Sequence, residues 1–378
     1  MTGSGAALRV GSARGGRPFR DFLRLPYAIY ANDPNWVAPL MRDVRTMFDP
    51  DRHPFHEHSE VDRFVAYRDG EPVGRIVAIH NRNHVAFHDE PVGFFGFFEC
   101  EDRQETADAL FAAAAAWLRE RGLETMRGPA SFSTNEEVGL LVAGFHMQPV
   151  VMMPYNPPYY ERLIEHAGFA KAQDLLALHL VLPEIPEFLL KRERRLAKRL
   201  DVTVRHIDMD DFEAELDRVR DLYNAAWERN WGFVPLTEAE IRFMAHELKP
   251  LLRKDPEQVV IVDDENGEPI GFALWLKDFN QALKHARGKL FPFGLLKILW
   301  HARSIYTGRV LTLGLVPEQR QRGIDNLLYL RIIRAAHEKG IIEGEFSWIL
   351  EQNLHMLTPL QKMGAETYKR YRIYDRAL

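Results

Sequence analysis

The residues best suited to chemistry meet at one junction. The apolar run Arg309-Val-Leu-Thr-Leu-Gly-Leu315-Val316 leads into Pro317-Glu-Gln-Arg320-Gln321-Arg322-Gly323-Ile324-Asp325, and a helical pattern with Leu327, Leu328, Leu330, Ile333 and Ala336 on one face follows. A strand, a basic glycine turn and a helix N-terminus make an anion cradle. Unpaired amides and the positive end of the helix dipole aim at one point, with Arg320 and Arg322 adding charge, which suits a pyrophosphate. The alternative for the same residues is a solvated strand-to-helix turn. Asp325 is compatible with phosphate only if it points away as a helix cap.

The order of elements, the Val-Pro-x-x-Arg-x-x-Gly-Ile turn and an asparagine, Asn353, shortly after the next strand resemble the acyl-CoA-dependent acyltransferases of the GNAT superfamily, over about residues 202–378. The resemblance implies acyl-CoA as co-substrate, with its pyrophosphate held at Leu315, Val316, Arg320, Gln321, Arg322, Gly323, Ile324 and Asp325, and an amine as acceptor. Asp325 stands where that family has a small residue. The whole layout is similar to the tandem GNAT proteins of bacteria, and to the bacterial ceramide synthases, which N-acylate long-chain amino alcohols. Two alternatives stay open: a small-molecule N-acetyltransferase using acetyl-CoA, and a GNAT-like binding protein without catalysis.

Acyl transfer from a thioester to an amine asks for a neutral amine, a donor for the developing oxyanion and an acid for the departing thiolate. An alkylamine with a pKa of about 10 is mostly protonated at neutral pH, so a base or a water chain must remove a proton. Glu351, at the end of the strand after the cradle helix, is the first candidate base; the alternative is a surface strand-end carboxylate. Asn353 would hold the splayed strand or the pantetheine, as the matching family position does. Leu360 and Gln361 stand where the family often has an acid tyrosine, which leaves Tyr368 and Tyr371 as substitutes or as packing aromatics. In the first half, Asn135-Glu136-Glu-Val-Gly139 and Met152-Met-Pro-Tyr155-Asn156 set polar groups among turns, which often line clefts. Glu136 is a further catalytic candidate and Asn135, Tyr155 and Asn156 are candidate substrate contacts, with a rigid packed loop as the alternative.

Two segments point toward lipid. Leu189 to Leu200 mixes leucines with Lys191, Arg192, Arg194, Arg195, Lys198 and Arg199, and Lys289 to Trp300 sets Phe293, Leu296 and other bulk between basic residues. Such segments can lie on anionic bilayers, although a connecting helix and a buried hairpin would look the same. A long-chain donor needs an apolar wall, for which Phe293 and Leu296 are the candidates, and peripheral contact with the inner membrane would accompany it. Cys100 has three acidic neighbours that disfavour a thiolate. His53, His56 and His58 lack helical spacing and a cysteine partner, so no metal is expected.

These residues need two similar scaffolds. Asp69-Gly-Glu-Pro-Val-Gly74 recurs as Asn266-Gly-Glu-Pro-Ile-Gly271, and Leu163 to Phe169 matches Leu360 to Ala365 in nearly the same register. Each half reads helix, hairpin, third strand, long amphipathic helix, strand, short helix, strand, an α+β pattern with mixed, mostly antiparallel central sheets. The expected division is a disordered tail at 1–16, a degenerate GNAT-like domain at 17–182, a basic linker at 183–200 and a domain with the acyl-CoA cradle at 201–378. In the first half the equivalent junction runs Phe94 to Asp102, and Glu99, Glu101 and Asp102 would repel a pyrophosphate there.

Composition bounds the rest. A chain of 378 residues with 46% hydrophobic and 27% charged residues affords two cores. A net charge of -5 gives no field that would attract nucleic acid. One cysteine and no signal-like stretch at the start make the cytoplasm the expected compartment.

Overall fold

The computed structural model describes residues 7–228 and 230–378. The first half of the chain runs β1 (Leu8–Ser12), α1 (Gly16–Ile29), β2 (Ser59–Arg68), β3 (Glu71–Asn81), β4 (Val92–Cys100), α2 (Gln104–Arg119), β5 (Thr125–Gly128), α3 (Tyr159–His166) and β6 (Ala170–Val181), with shorter turns of helix and strand between. The second runs α4 (Glu187–Leu200), β7 (Thr203–His206), α5 (Phe212–Trp227), α6 (Glu238–Lys254), β8 (Val259–Asp263), β9 (Pro269–Lys277), α7 (Gly294–His301), β10 (Thr307–Leu315), α8 (Ile324–Glu338), β11 (Glu343–Leu350), α9 (Leu354–Lys362) and β12 (Glu366–Ala377). This is the α+β repeat that the sequence implies.

Two compact units form. One holds the chain up to Leu175 together with Leu283–Ile298 and Lys369–Leu378; the other holds Leu176–Ala282 and Leu299–Tyr368. They are therefore not the contiguous stretches 17–182 and 201–378. In the first unit the strand order is β1-β2-β3-β4-β5-β12, and in the second it is β6-β11-β10-β9-β8-β7. The last strand of the chain thus closes the first unit's sheet, where Tyr374 stands opposite Gly128 and Ala377 opposite Thr125.

Local chemistry explains the hairpins. Asp69 and Gly70, at φ 52° and 87°, form the two-residue β2–β3 turn that needs positive φ at both positions. The second copy is wider: the Asp264 carboxylate accepts the amides of Asn266 and Glu268, each at 2.9 Å. Helix α2 lays fully buried Leu110, Phe111, Ala114 and Leu118 on the sheet. Phe111 stacks on Phe98 at 4.8 Å and meets Phe95 edge-on at 5.2 Å. Each such side chain contributes about 1.5–3 kcal/mol on burial, so packing rather than capping holds this helix.

Two expectations change. Residues 8–16 are not a disordered tail: β1 pairs with β2 from Leu8↔Arg68 to Ser12↔Phe64. The Asp62 carboxylate accepts from Ser12 Oγ at 3.0 Å and Arg14 Nη2 at 2.7 Å. The ladder and one carboxylate supply what the segment's own small side chains lack. The basic linker is likewise a packed element, because α4 buries Glu193 and directs it at Arg331 of α8, 3.6 Å away.

In each unit one pair of strands runs parallel. The β4–β5 pairing extends from Val92↔Thr125 to Phe94↔Arg127, and the β10–β11 pairing from Thr307↔Glu343 to Val310↔Phe346. Beyond Val310 the strand Leu311–Leu315 continues without its parallel partner and a wedge opens, whereas in the first unit the chain after β5 stays against β4 as far as Ser131, whose Oγ accepts the Phe97 amide at 3.2 Å.

Candidate active site

The cradle lies where the wedge of the second unit opens. Strand β10 ends at Leu315, a single 3₁₀ turn covers Pro317–Gln319, and α8 starts at Ile324. Gln321 and Gly323 take φ of 62° and 85°, a left-handed path that turns successive amides to one side. Among the described residues, the amides of Arg322, Gly323, Ile324 and Asp325 donate to no backbone carbonyl, as at any open helix start.

The two arginines do not both serve an anion. The Arg320 guanidinium donates to the carbonyls of Leu315 at 3.3 Å and Ala226 at 2.6 Å, so it ties α5 to the turn. Arg322 is exposed and donates to the Gln319 side chain. Asp325 sits in the first turn of α8, where a carboxylate complements the dipole. Val316 continues the sheet by donating to the Ile270 carbonyl at 3.0 Å. Helix α4 comes close to the turn: a Cβ at Gly323 would lie 3.8 Å from Leu196, and Arg192, Arg195 and Arg199 around that leucine are exposed.

Below the cradle, the wedge carries a buried polar chain that the sequence reading missed. Arg309 Nε donates to Ser347 Oγ at 2.9 Å and Nη2 to the Ser347 carbonyl at 3.1 Å. Ser347 Oγ donates in turn to one oxygen of Glu345, and the Tyr368 hydroxyl donates to the other. Glu345 is 1% exposed. One step along β11, Glu343 accepts from His179 at 3.3 Å, and the His179 ring tilts against Tyr368 at 5.7 Å. A buried carboxylate that holds a tyrosine hydroxyl can accept or relay a proton.

In the first unit the corresponding strands carry a different set. Glu99, at the end of β4, accepts on Oε2 from Tyr30 and Tyr160, each at 2.8 Å, and its Oε1 lies 3.6 Å from Arg75 Nη2. Burial pushes Glu99 above the ordinary carboxylate range, opposed by Arg75 and the two tyrosines. Glu101 and Asp102 are spoken for: Glu101 accepts from Arg68 at 3.1 Å and Thr106 at 2.7 Å, and Asp102 pairs with Arg162.

Comparison with known proteins agrees with this repeat. No family model matches the chain. It is 35% identical over 365 residues to the bacterial ceramide synthase of Caulobacter vibrioides (strain NA1000 / CB15N), covering 94% of each chain. It is 34% identical over 363 residues to protein YghO of Escherichia coli (strain K12), covering 94% of this chain and 92% of the other. The chain belongs to the family of these two proteins. Its fold matches a tandem GNAT protein from the clavulanic acid biosynthesis pathway at a TM-score of 0.58 and 13% identity, over 98% of both chains.

For this family member, several sequence-chosen residues have structural work. Asn353 caps α9, its side chain accepting the Met356 amide at 3.4 Å. Glu351 follows β11 at the strand end and is half-buried, and the polar chain through Glu345 runs without it. Tyr368 joins that chain, whereas Tyr371 is fully buried in the first unit. Asn135 and Glu136 make bonds within their own loop, the amide of Asn135 to Ser133 Oγ and the carboxylate of Glu136 to the Phe132 amide, both at 3.2 Å. Asn156 clamps Leu141 through both its amide, at 2.7 Å, and its carbonyl, at 3.1 Å. Tyr155 donates to Asp33 at 2.9 Å, and burial pushes its hydroxyl up to about 12.

Phe293 and Leu296 fall in the unit without the cradle and are 64% and 63% exposed. The histidines enter a stack: His56 Nε2 bonds the Met47 carbonyl at 2.9 Å, and the rings of His53 and His56 meet Phe132 edge-on. Cys100 is buried, and desolvation with Glu101 and Asp102 nearby raises its thiol far above the ordinary value.

Proposed function

We propose that this N-acyltransferase joins a long-chain acyl group from acyl-CoA to a lipid-like amine, as the name ceramide synthase records for its Caulobacter relative. The observation that carries the reading is the second unit's wedge, with unspent amides at its open end and the paired Glu345 and Tyr368 at its base. Acyl-CoA supplies the activated thioester. The chain's residues do the rest. The amides of Arg322 to Asp325 and the basic face of α4 hold phosphate. Glu345, directly or through Tyr368, takes the proton that the ammonium must lose before its nitrogen attacks. As the C–N bond forms and the C–S bond breaks, the nitrogen gives up its surplus proton to solvent, the Tyr368 hydroxyl is positioned to protonate the thiolate, and the proton held on Glu345 restores the tyrosine hydroxyl. Glu351 is the alternative base at the strand end.

Length of chain is supported by a different observation. No Asp or Glu occurs between Asp278 and Glu318, a stretch that holds Lys284, Arg287, Lys289, Lys297, Arg303 and Arg309. Within it Phe291 is 87%, Phe293 64% and Trp300 71% exposed. Aromatic bulk among the exposed Lys284, Arg287, Lys289, Lys297 and Arg303 suits the interface of an anionic bilayer, from which a lipid amine would be taken. Among the described residues no helix is long and apolar enough to cross a membrane.

The test is product formation. With a long-chain 2-amino-1,3-diol presented in anionic vesicles, palmitoyl-CoA is expected to give amide at least tenfold faster than acetyl-CoA. Replacing Phe293 and Leu296 together by Asp should remove most of the rate on vesicles, and Tyr368→Phe should lower kcat. A preference for acetyl-CoA, with the double variant unimpaired, would leave a small-molecule acetyltransferase.

A further inference from the structure

We infer that helix α4 is a docking surface for an acidic carrier protein, and that the enzyme also takes its acyl group from a thioester on such a protein's phosphopantetheine arm. The inference rests on the thioester reading of the second unit's wedge and adds a second class of donor to it. It starts from charge that acyl-CoA leaves unused. From Lys191 to Arg199, α4 carries six exposed cations and one carboxylate, Glu193, which is buried against Arg331. Lys191 is met by Glu187 at 2.9 Å, whereas Arg192, Arg194, Arg195, Lys198 and Arg199 have no carboxylate within ion-pair distance among the described residues.

Helical geometry divides these charges. Leu196 is the residue that reaches the cradle, 3.8 Å from a Cβ built on Gly323. Arg192 and Arg199, one turn before and after it, share its side, while Arg194 and Lys198 stand two residues away and lie about 160° round the helix. The pyrophosphate of CoA falls to the amides of Arg322 to Asp325, and the remaining phosphate carries at most about two charges, for which Arg192 and Arg199 suffice. Arg194, Arg195 and Lys198 continue the basic surface away from the cradle. A carrier protein accounts for them. Its arm enters by the same cradle and leaves one phosphate there, so the protein that bears the arm must lie against the rim, which α4 borders. An acidic face laid over α4 meets the whole stripe, and only one exposed carboxylate, Glu318, stands in the cradle turn.

The stripe suits a protein better than a bilayer. An interfacial helix sinks its apolar face among lipids, but Leu189, Leu190, Leu196 and Leu200 share the side of buried Glu193 and are half-buried themselves. What α4 turns outward is charge, which steers the association of proteins and makes it sensitive to salt. The chemical step balances as with acyl-CoA. The C–N bond forms, the C–S bond breaks, the arm's thiolate takes the Tyr368 proton, Glu345 restores the hydroxyl and the nitrogen's surplus proton goes to solvent.

The experiment gives the full chain palmitoyl-CoA or palmitoyl-acyl carrier protein, the thioester of the small acidic carrier of bacterial fatty-acid synthesis. A long-chain 2-amino-1,3-diol is the acceptor, and binding of each donor is measured by calorimetry without it. Amide is expected from both donors, with a carrier KM that rises at least fivefold between about 50 and 500 mM sodium chloride. Arg194→Glu with Lys198→Glu should raise KM and Kd for the carrier donor at least tenfold and change those for palmitoyl-CoA less than twofold. Arg194→Gln with Lys198→Gln should raise the carrier values about threefold, which keeps the test if charge reversal disturbs folding. Losses equal for both donors overturn the proposal, as does carrier binding that neither double variant alters. Variants that spare the carrier donor but no longer bind anionic vesicles would assign the stripe to a bilayer and overturn it too. If carrier binding depends on the stripe but neither donor acylates the long-chain amine, the docking surface stands and the substrate reading fails; amide from palmitoyl-CoA alone, with no carrier binding, gives the reverse.

Discussion

Gly323 is where a single side chain decides whether the cradle can work. Its φ of 85° lies in the left-handed region, which costs most residues about 1–2 kcal/mol and β-branched ones more. Space is not the obstacle, because the nearest atoms to an added Cβ are 3.6 Å and 3.8 Å away. Gly323→Val should therefore turn the amides of Ile324 and Asp325 out of line and weaken CoA binding at least tenfold by calorimetry, with Gly323→Ala milder. Glu101→Gln, in the other unit's junction and already paired with Arg68, should leave CoA affinity as it is. Equal losses at both positions would remove the cradle assignment. Arg320 makes the complementary point: its charge sits in the motif, yet two carbonyls consume its donors.

At the scale of elements, α4 changes the electrostatics of the site. A helix whose Leu196 reaches toward Gly323 carries Arg192 and Arg199, four before and three after it, on the same face. Both are exposed, so their attraction for phosphate is screened over about 10 Å at 0.1 M salt. Replacing both by Glu should raise the Kd for CoA about tenfold at low salt, and the difference from the unmodified chain should shrink as sodium chloride rises from about 50 to 500 mM. An affinity loss that persists at high salt would instead mean that the helix positions the cradle by packing. The same helix explains why a composition rich in Lys and Arg is not by itself a linker: Glu193 is buried against α8, and the charges are what remains outside.

For the whole molecule, the last strand is the most consequential placement. Strand β12 buries Tyr371, Ile373 and Tyr374 at 0–2% exposure in the first unit. Arg127 meets Asp375 through two bonds of 2.8 Å, and Arg372 Nε donates to the buried Asp174 at 2.8 Å. Ending the chain at Tyr368 would uncover β5 and remove three buried side chains, whose burial contributes about 1.5–3 kcal/mol each before the lost ion pairs, against a total stability of about 5–15 kcal/mol. The truncated chain should lose the cooperative unfolding of the first unit in calorimetry or urea titration. Retention of that transition would show that the strand is dispensable.

Local signals sufficed for the hairpin at Asp69-Gly70, the strand–turn–helix at Arg309 to Ala336 and the repeat, because each depends on residues adjacent in the chain, where turn chemistry and periodicity act. The buried polar chain of the second unit was not legible in the same way. Glu343, Glu345 and Ser347 alternate along β11, a pattern that reads as a solvent-facing side; only Arg309 and Tyr368, brought from 36 residues before and 23 after, turn Glu345 into a buried, hydrogen-bonded group. The polar pair Arg75 and Glu99 and the tyrosines that flank it come from β3, β4, α3 and the end of α1, and nothing local links them. The strand at Glu366 to Ala377 shows its alternation in sequence but not its partner, since a strand's own side chains carry no address; the complementary face of β5 and the charges of Arg127 and Asp174 supplied it.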